Sequence, residues 1–123
     1  MIYLIDDDEI QNLINTKVIS IVAEGIQVKA FTSAETALSA LKEKVDGLPD
    51  MIFLDINMPK MNGWDFLDAY QQVEDKVKVY MLSSSINSKD IQKSETYEVV
   101  NGFICKPLVV EKLSEILKEE GMT

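Results

Sequence analysis

Met51-Ile52-Phe53-Leu54-Asp55 is a run of four apolar residues that stops on a carboxylate. Three other short runs have the same form. Ile2-Tyr3-Leu4-Ile5 meets Asp6-Asp7-Asp8, Val79-Tyr80-Met81-Leu82 meets Ser83, and Gly102-Phe103-Ile104-Cys105 meets Lys106-Pro107. None alternates apolar with polar. Each therefore reads as a strand buried on both faces, as in a parallel sheet covered by helices. Parallel strands bring their carboxyl ends to one edge, so the polar residues closing these runs gather there.

The stretches between the runs carry helical spacing. Ile10, Leu13, Ile14, Val18 and Ile21 mark one face of a helix that runs to about Ala23 and is stopped by Gly25. Ile26 to Phe31 reads as a further strand, with Ile26, Val28 and Ala30 on one side. Thr32-Ser33-Ala34-Glu35 fits a capping box ahead of a face of Ala34, Ala37, Leu38 and Leu41, and Gly47-Leu48-Pro49 breaks that helix. Trp64, Leu67 and Tyr70 form a stripe after the loop from Asn57 to Asn62, and Val77 to Leu82 is the fourth strand. Ser88 is read as the N-cap of a weakly apolar, loosely held helix over about Lys89 to Glu98. Val109, Val110, Leu113, Ile116 and Leu117 mark the last helix. The pattern is (βα)5, expected to be an α/β doubly wound parallel sheet, with ligands at the carboxyl ends of its strands.

Composition sets limits on function. The 123 residues fit one domain, 1–123, and the 46% apolar content supports a core. A net charge of −9 argues against direct nucleic-acid binding. Nothing approaches a membrane span or a cleaved leader, so a cytoplasmic location is expected. Cys105, the single cysteine, lies in an apolar run and is expected in the core. The chain has no His, which excludes a His-based nucleophile system and nearly excludes a zinc enzyme.

The strand-end cluster has a definite chemistry. Asp6 and Asp7 with Asp55 would repel one another unless a cation lay between them, and hard oxygen ligands suit Mg²⁺. Asp8 directly precedes a helix and reads as its N-cap. The backbone carbonyl of Asn57 can add a ligand, and Pro59 and Gly63 shape the loop that follows. Ser83 can donate to a phosphoryl oxygen. Lys106 can neutralise the same anion or hold the carboxylates, and Pro107 permits a cis bond that aims it inward.

At these separations, Asp6-Asp7, Asp55, Ser83 and Lys106-Pro107 resemble the receiver domain of two-component response regulators, over essentially the whole chain. The resemblance implies a flavodoxin-like fold with sheet order 2-1-3-4-5, an order for which the chemotaxis member of this family is itself a standard example. It implies that Asp55 accepts a phosphoryl group from a sensor histidine kinase or a His-containing phosphotransfer protein. Asp7, Asp55 and the Asn57 carbonyl would ligate Mg²⁺, with Asp6 acting through a bound water. Ser83 and Lys106 would grip the phosphoryl oxygens, and Phe103 would change rotamer with Ser83. Ser83 stands where Thr is more frequent and Phe103 where Tyr is common. Asn57 and Ser85 are expected to affect phosphoryl lifetime.

The chain is then a switch rather than an enzyme, with autophosphorylation and autodephosphorylation activity only. Its responding surface is expected at the fourth helix, fifth strand and fifth helix, facing an unknown downstream protein target. Competing readings are a phosphate-relay intermediate, a degenerate receiver used as a scaffold, and a Mg²⁺-dependent aspartate phosphatase. The last lacks its D-x-D-x-[TV] start, because Asn57 and Pro59 occupy those places. Met1 and the lack of a linker point to a stand-alone regulator.

Overall fold

A computed structural model describes residues 1–44, 47–85 and 87–122. Strands and helices alternate as β1 (Ile2–Ile5), α1 (Glu9–Val22), β2 (Val28–Phe31), α2 (Ala34–Glu43), β3 (Met51–Asp55), α3 (Gly63–Tyr70), β4 (Lys78–Ser83), α4 (Ser88–Ser94), β5 (Val100–Cys105) and α5 (Val110–Glu119). The strands form one parallel sheet in the order β2-β1-β3-β4-β5. Fold class and strand order both match expectation. β1 and β3 are buried throughout, which is why their sequences do not alternate.

Each face of the sheet has its own core. Tyr3, Ile5, Ile52, Leu54, Val79 and Met81 pack with residues of α2 and α3. Ile2, Leu4, Met51, Phe53, Tyr80 and Leu82 pack with residues of α1 and α5. Register carries the strand ends to a common level: Ile5 lies opposite Leu54, Asp55 opposite Leu82, and Ser83 opposite Cys105.

Several local expectations need correction. The apolar stripe of α1 faces outward, with Ile10 67%, Leu13 57%, Ile14 41% and Ile21 70% exposed. The buried residues of the helix are Asn12, Asn15 and Ile19. Asn12 Nδ2 donates to the carbonyls of Asp6 (2.9 Å) and Phe31 (3.3 Å) at the ends of β1 and β2. Together with the Asp8 cap, these bonds set the rotation of the helix, and apolar periodicity does not. Cys105 is exposed, because β5 is an edge strand paired only with β4 among the described residues. In β2, Ala30 is exposed and Phe31 buried. Ser33, rather than Thr32, caps α2, so the expected box is not formed there; the inward face of Ala34, Ala37, Leu38 and Leu41 is as read. A capping box forms instead at Asn62 and Asp65, ahead of α3. α4 is capped by Asn87 and ends at Ser94, short of the expected Glu98.

Within α4, Ser94 alone is buried among the described residues. The helix is fastened to α3 just beyond its C-terminal end. Tyr97 stacks on Trp64 with centroids 6.2 Å apart, and its hydroxyl donates to Asp68 Oδ1 at 2.6 Å. Lys93 Nζ lies 4.8 Å from the Trp64 ring centre. A hydrogen bond to a charged group contributes about 1.5–3 kcal/mol, and the stack and cation–π contact about 0.5–1.5 kcal/mol each.

Gly63 opens α3 against the end of β3. A Cβ there would meet the Asp55 carbonyl oxygen at 2.8 Å and Ile56 Cα at 2.9 Å, both backbone atoms that cannot swing aside. Gly63→Ala is expected to destabilise the chain by about 1–3 kcal/mol in urea unfolding. An unchanged midpoint would mean that the loop has room to retreat.

Candidate functional site

The pocket is built from the carboxyl ends of β1, β3, β4 and β5. Carboxylate oxygens of Asp6, Asp7 and Asp55 lie within 4.8 Å of one another, with Asp6 and Asp55 buried and Asp7 exposed. Lys106 enters from the end of β5, its amide donating to the Ser83 carbonyl at 2.7 Å. The Lys106–Pro107 bond is cis. Lys106 Nζ lies 2.7 Å from Asp6 Oδ2 and 3.2 Å from Asp55 Oδ1. Asp6 Oδ1 accepts from the Asp8 amide at 3.0 Å, so both oxygens of Asp6 have donors.

The electrostatics divide the roles. Burial pushes the Asp55 carboxyl above its ordinary range, and the neighbouring Asp6 charge adds to this against the pull of Lys106. Burial works against the charge on Lys106 as well. There the bond to Asp6 and the fields of Asp55 and Asp6 outweigh it and raise the pKa. The lysine is a fixed cation, while Asp55 is a buried carboxylate whose charge is incompletely compensated. A cation among three such oxygens would complete that compensation. The donor set is all oxygen, two of the groups are buried, and Asp7 stays open to solvent, so the residues fit Mg²⁺.

The remaining expected residues take varied positions. Asp8 caps α1, accepting from the Ile10 and Gln11 amides, and stands outside the cluster. Asn57 is exposed on the loop two residues past Asp55. Ser83 is buried at the end of β4, with its hydroxyl donating to the Ser85 carbonyl at 2.7 Å. Phe103 is half-buried in β5 and packs on the core beneath α2 and α3. Asn12, which holds the Asp6 carbonyl, escaped sequence reading: a polar residue inside a helical pattern gives no sign that it faces inward.

The fold and site together are a doubly wound (βα)5 parallel sheet with an acidic triad and a lysine at its carboxyl edge. The family model for the response regulator receiver domain matches residues 2–118, and the chain belongs to that family. The transcriptional regulatory protein DcuR of Shigella flexneri is 30% identical over 94% of this chain. The chain spans about half of that relative, 48% of its length. A two-component response regulator from Cytophaga hutchinsonii is 31% identical, with a TM-score of 0.88 over 99% of this chain and 96% of that one. A response regulator receiver protein from Dyadobacter fermentans is 25% identical, with a TM-score of 0.86 over 99% and 98%. Among the described residues, no helix is long and apolar enough to cross a membrane.

A carboxyl whose pKa is raised by folding holds its proton more tightly in the folded chain. Its contribution to stability therefore falls as pH rises from its unfolded value, about 3.9, through the folded one. Asp55→Asn is expected to raise the melting temperature at neutral pH without divalent cation, by on the order of a few degrees. The gap should close as pH falls toward about 4, and also on adding Mg²⁺. A gap independent of both, followed by calorimetry, would contradict the assignment of Asp55 as the undercompensated charge.

Proposed function

We propose that residues 1–123 act as one receiver domain, that Asp55 is its phosphoacceptor, and that a phosphohistidine protein is its donor. The observation that carries this is the meeting of Asp6, Asp7 and Asp55 oxygens within 4.8 Å, beside Lys106 Nζ 3.2 Å from Asp55. An Asp55 carboxylate oxygen attacks phosphorus, and the bond from phosphorus to the donor imidazole nitrogen breaks. The electron pair leaves with the imidazole. Lys106 turns from carboxylate to phosphoryl oxygen and keeps the added charge compensated. Ser83 exchanges the Ser85 carbonyl for a phosphoryl oxygen. Asp7, Asp55 and the Asn57 carbonyl would hold Mg²⁺, with Asp6 acting through its water. Bound there, the ion supplies charge neutralisation at the transferring oxygens. Attack by water on phosphorus breaks the acyl phosphate, releases inorganic phosphate and restores Asp55. Asn57 and Ser85 flank that water's approach and tune the lifetime.

Release of Ser83 from Ser85 alters the loop into α4, and Phe103 follows on β5. The surface of α4, β5 and α5 then offers a changed face to a downstream protein. The whole chemistry belongs in the cytoplasm, where a sensor kinase has its nucleotide.

The outward stripe of α1 supports a docking place for the donor. Ile10, Leu13, Ile14 and Ile21 form an apolar patch of the kind that marks an interaction surface, and it begins beside the pocket. Exposed Asp7, Asp8 and Glu9 at its near end favour a donor with basic residues there.

Labelling by acetyl phosphate with Mg²⁺, followed by intact mass, is expected for the wild type and lost in Asp55→Asn. Undiminished labelling of that variant would remove Asp55 from the role. Leu13→Asp is expected to slow transfer from a phosphorylated histidine kinase domain that labels the wild type by about tenfold or more. Its labelling by acetyl phosphate should stay unchanged. Equal loss from both donors would point to damage to the pocket instead.

A further inference from the structure

We infer that α4 turns about its C-terminal end, where Trp64 and Asp68 of α3 clasp Lys93 and Tyr97. Trp64 and Asp68 lie one helical turn apart on α3, while Lys93 belongs to the last turn of α4 and Tyr97 follows three residues past its end. Trp64 receives the Tyr97 ring and the Lys93 ammonium, while Asp68 receives the Tyr97 hydroxyl. Tyr97 is 8% exposed. The Asp68 bond and burial push its hydroxyl up to about 12, so it stays a donor throughout the physiological range.

Among the described residues, the other end of α4 has no comparable fastening. Its cap, Asn87, accepts from Lys89 within the same segment. Ser88 and Lys89 are exposed, and Ile91 is half-buried. Ser84 and Ser85 lead from the pocket to this end, with Ser85 bonded to the Ser83 hydroxyl through its carbonyl and amide. Among the described residues, displacement at the start of α4 meets only exposed side chains at Ser88 and Lys89, whereas displacement at its end meets the contacts of Lys93 and Tyr97. Motion of α4 is then rotation about the clasp, not translation of the whole helix. Ser83 as the source of that displacement rests on the phosphoacceptor reading of Asp55; the hinge itself does not.

Amide hydrogen exchange on the full chain, without added ligand, reads the hinge directly. After correction for intrinsic rates, the Ile91 amide is expected to exchange about tenfold or more faster than those of Glu95 and Tyr97. Tyr97→Leu should bring the rates within about threefold of one another. Asp68→Asn, which keeps the ring stack and the fold, should narrow the gap. Uniform protection along α4 in the wild type, or a gradient that survives Tyr97→Leu, would overturn the hinge. Beryllium fluoride with Mg²⁺ supplies the second measurement, with the bound ¹⁹F signal reporting occupancy of Asp55. With that signal present, amide shifts should concentrate at residues 84–91. Emission from Trp64, the single tryptophan, should not change. A changed emission would mean that the clasp opens, and would also overturn the proposal. Absence of the ¹⁹F signal would count against the Asp55 reading and leave the exchange gradient to decide the hinge.

Discussion

Lys106 sits between two buried carboxylates, 2.7 Å from Asp6 and 3.2 Å from Asp55, and one ammonium cannot fully offset both. Removing a partner from a buried ion pair typically costs about 3–5 kcal/mol, because the remaining charge is stranded. Two carboxylates would be stranded here. The pocket must therefore keep the lysine, and with it the β5 edge that delivers it and the contact of its amide with the Ser83 carbonyl. The same residual negative charge makes the site receptive to a cation and leaves an undercompensated carboxylate beside it. Structural necessity and chemical readiness come from one arrangement.

Around this pocket the two neighbouring helices are anchored in opposite ways. α1 is locked at its N-terminal end by the Asp8 cap and by Asn12, whose amide spans the ends of β1 and β2. That lock turns four large apolar side chains, Ile10, Leu13, Ile14 and Ile21, outward. α4 is exposed at Ser88 and Lys89, where it begins, and held just past its end through Trp64, Asp68 and Tyr97.

Much of this was legible in the chain. The buried runs and their polar ends were readable because a central parallel strand must be apolar on both faces, and a polar residue survives only where the strand leaves the core. β1, β3 and the gathering of Asp6, Asp7, Asp55 and Lys106 at one edge followed from that rule. The inward face of α2 followed as well, since nothing competed with its apolar stripe. α1 misled because apolar periodicity states which residues share a face, and says nothing about which way that face points. Cys105 misled because an apolar neighbourhood in sequence does not reveal that β5 lies at the sheet edge. The clasp left no trace, since Trp64 and Tyr97 are 33 positions apart and belong to different periodic patterns.

The order of residues along the chain is enough to set the alternation of strands and helices and the kinds of group that close each strand. Both are set by local patterning and by the free energy of burying apolar surface. The distances within the pocket, the rotation of α1 and the contacts at the end of α4 arise in the folded chain alone. Those depend on hydrogen bonds and ring contacts between residues remote in the chain, such as Lys106 with Asp6, Asn12 with Phe31, and Tyr97 with Asp68. Such contacts are directional and specific to one register of packing, and no periodicity along the chain encodes them.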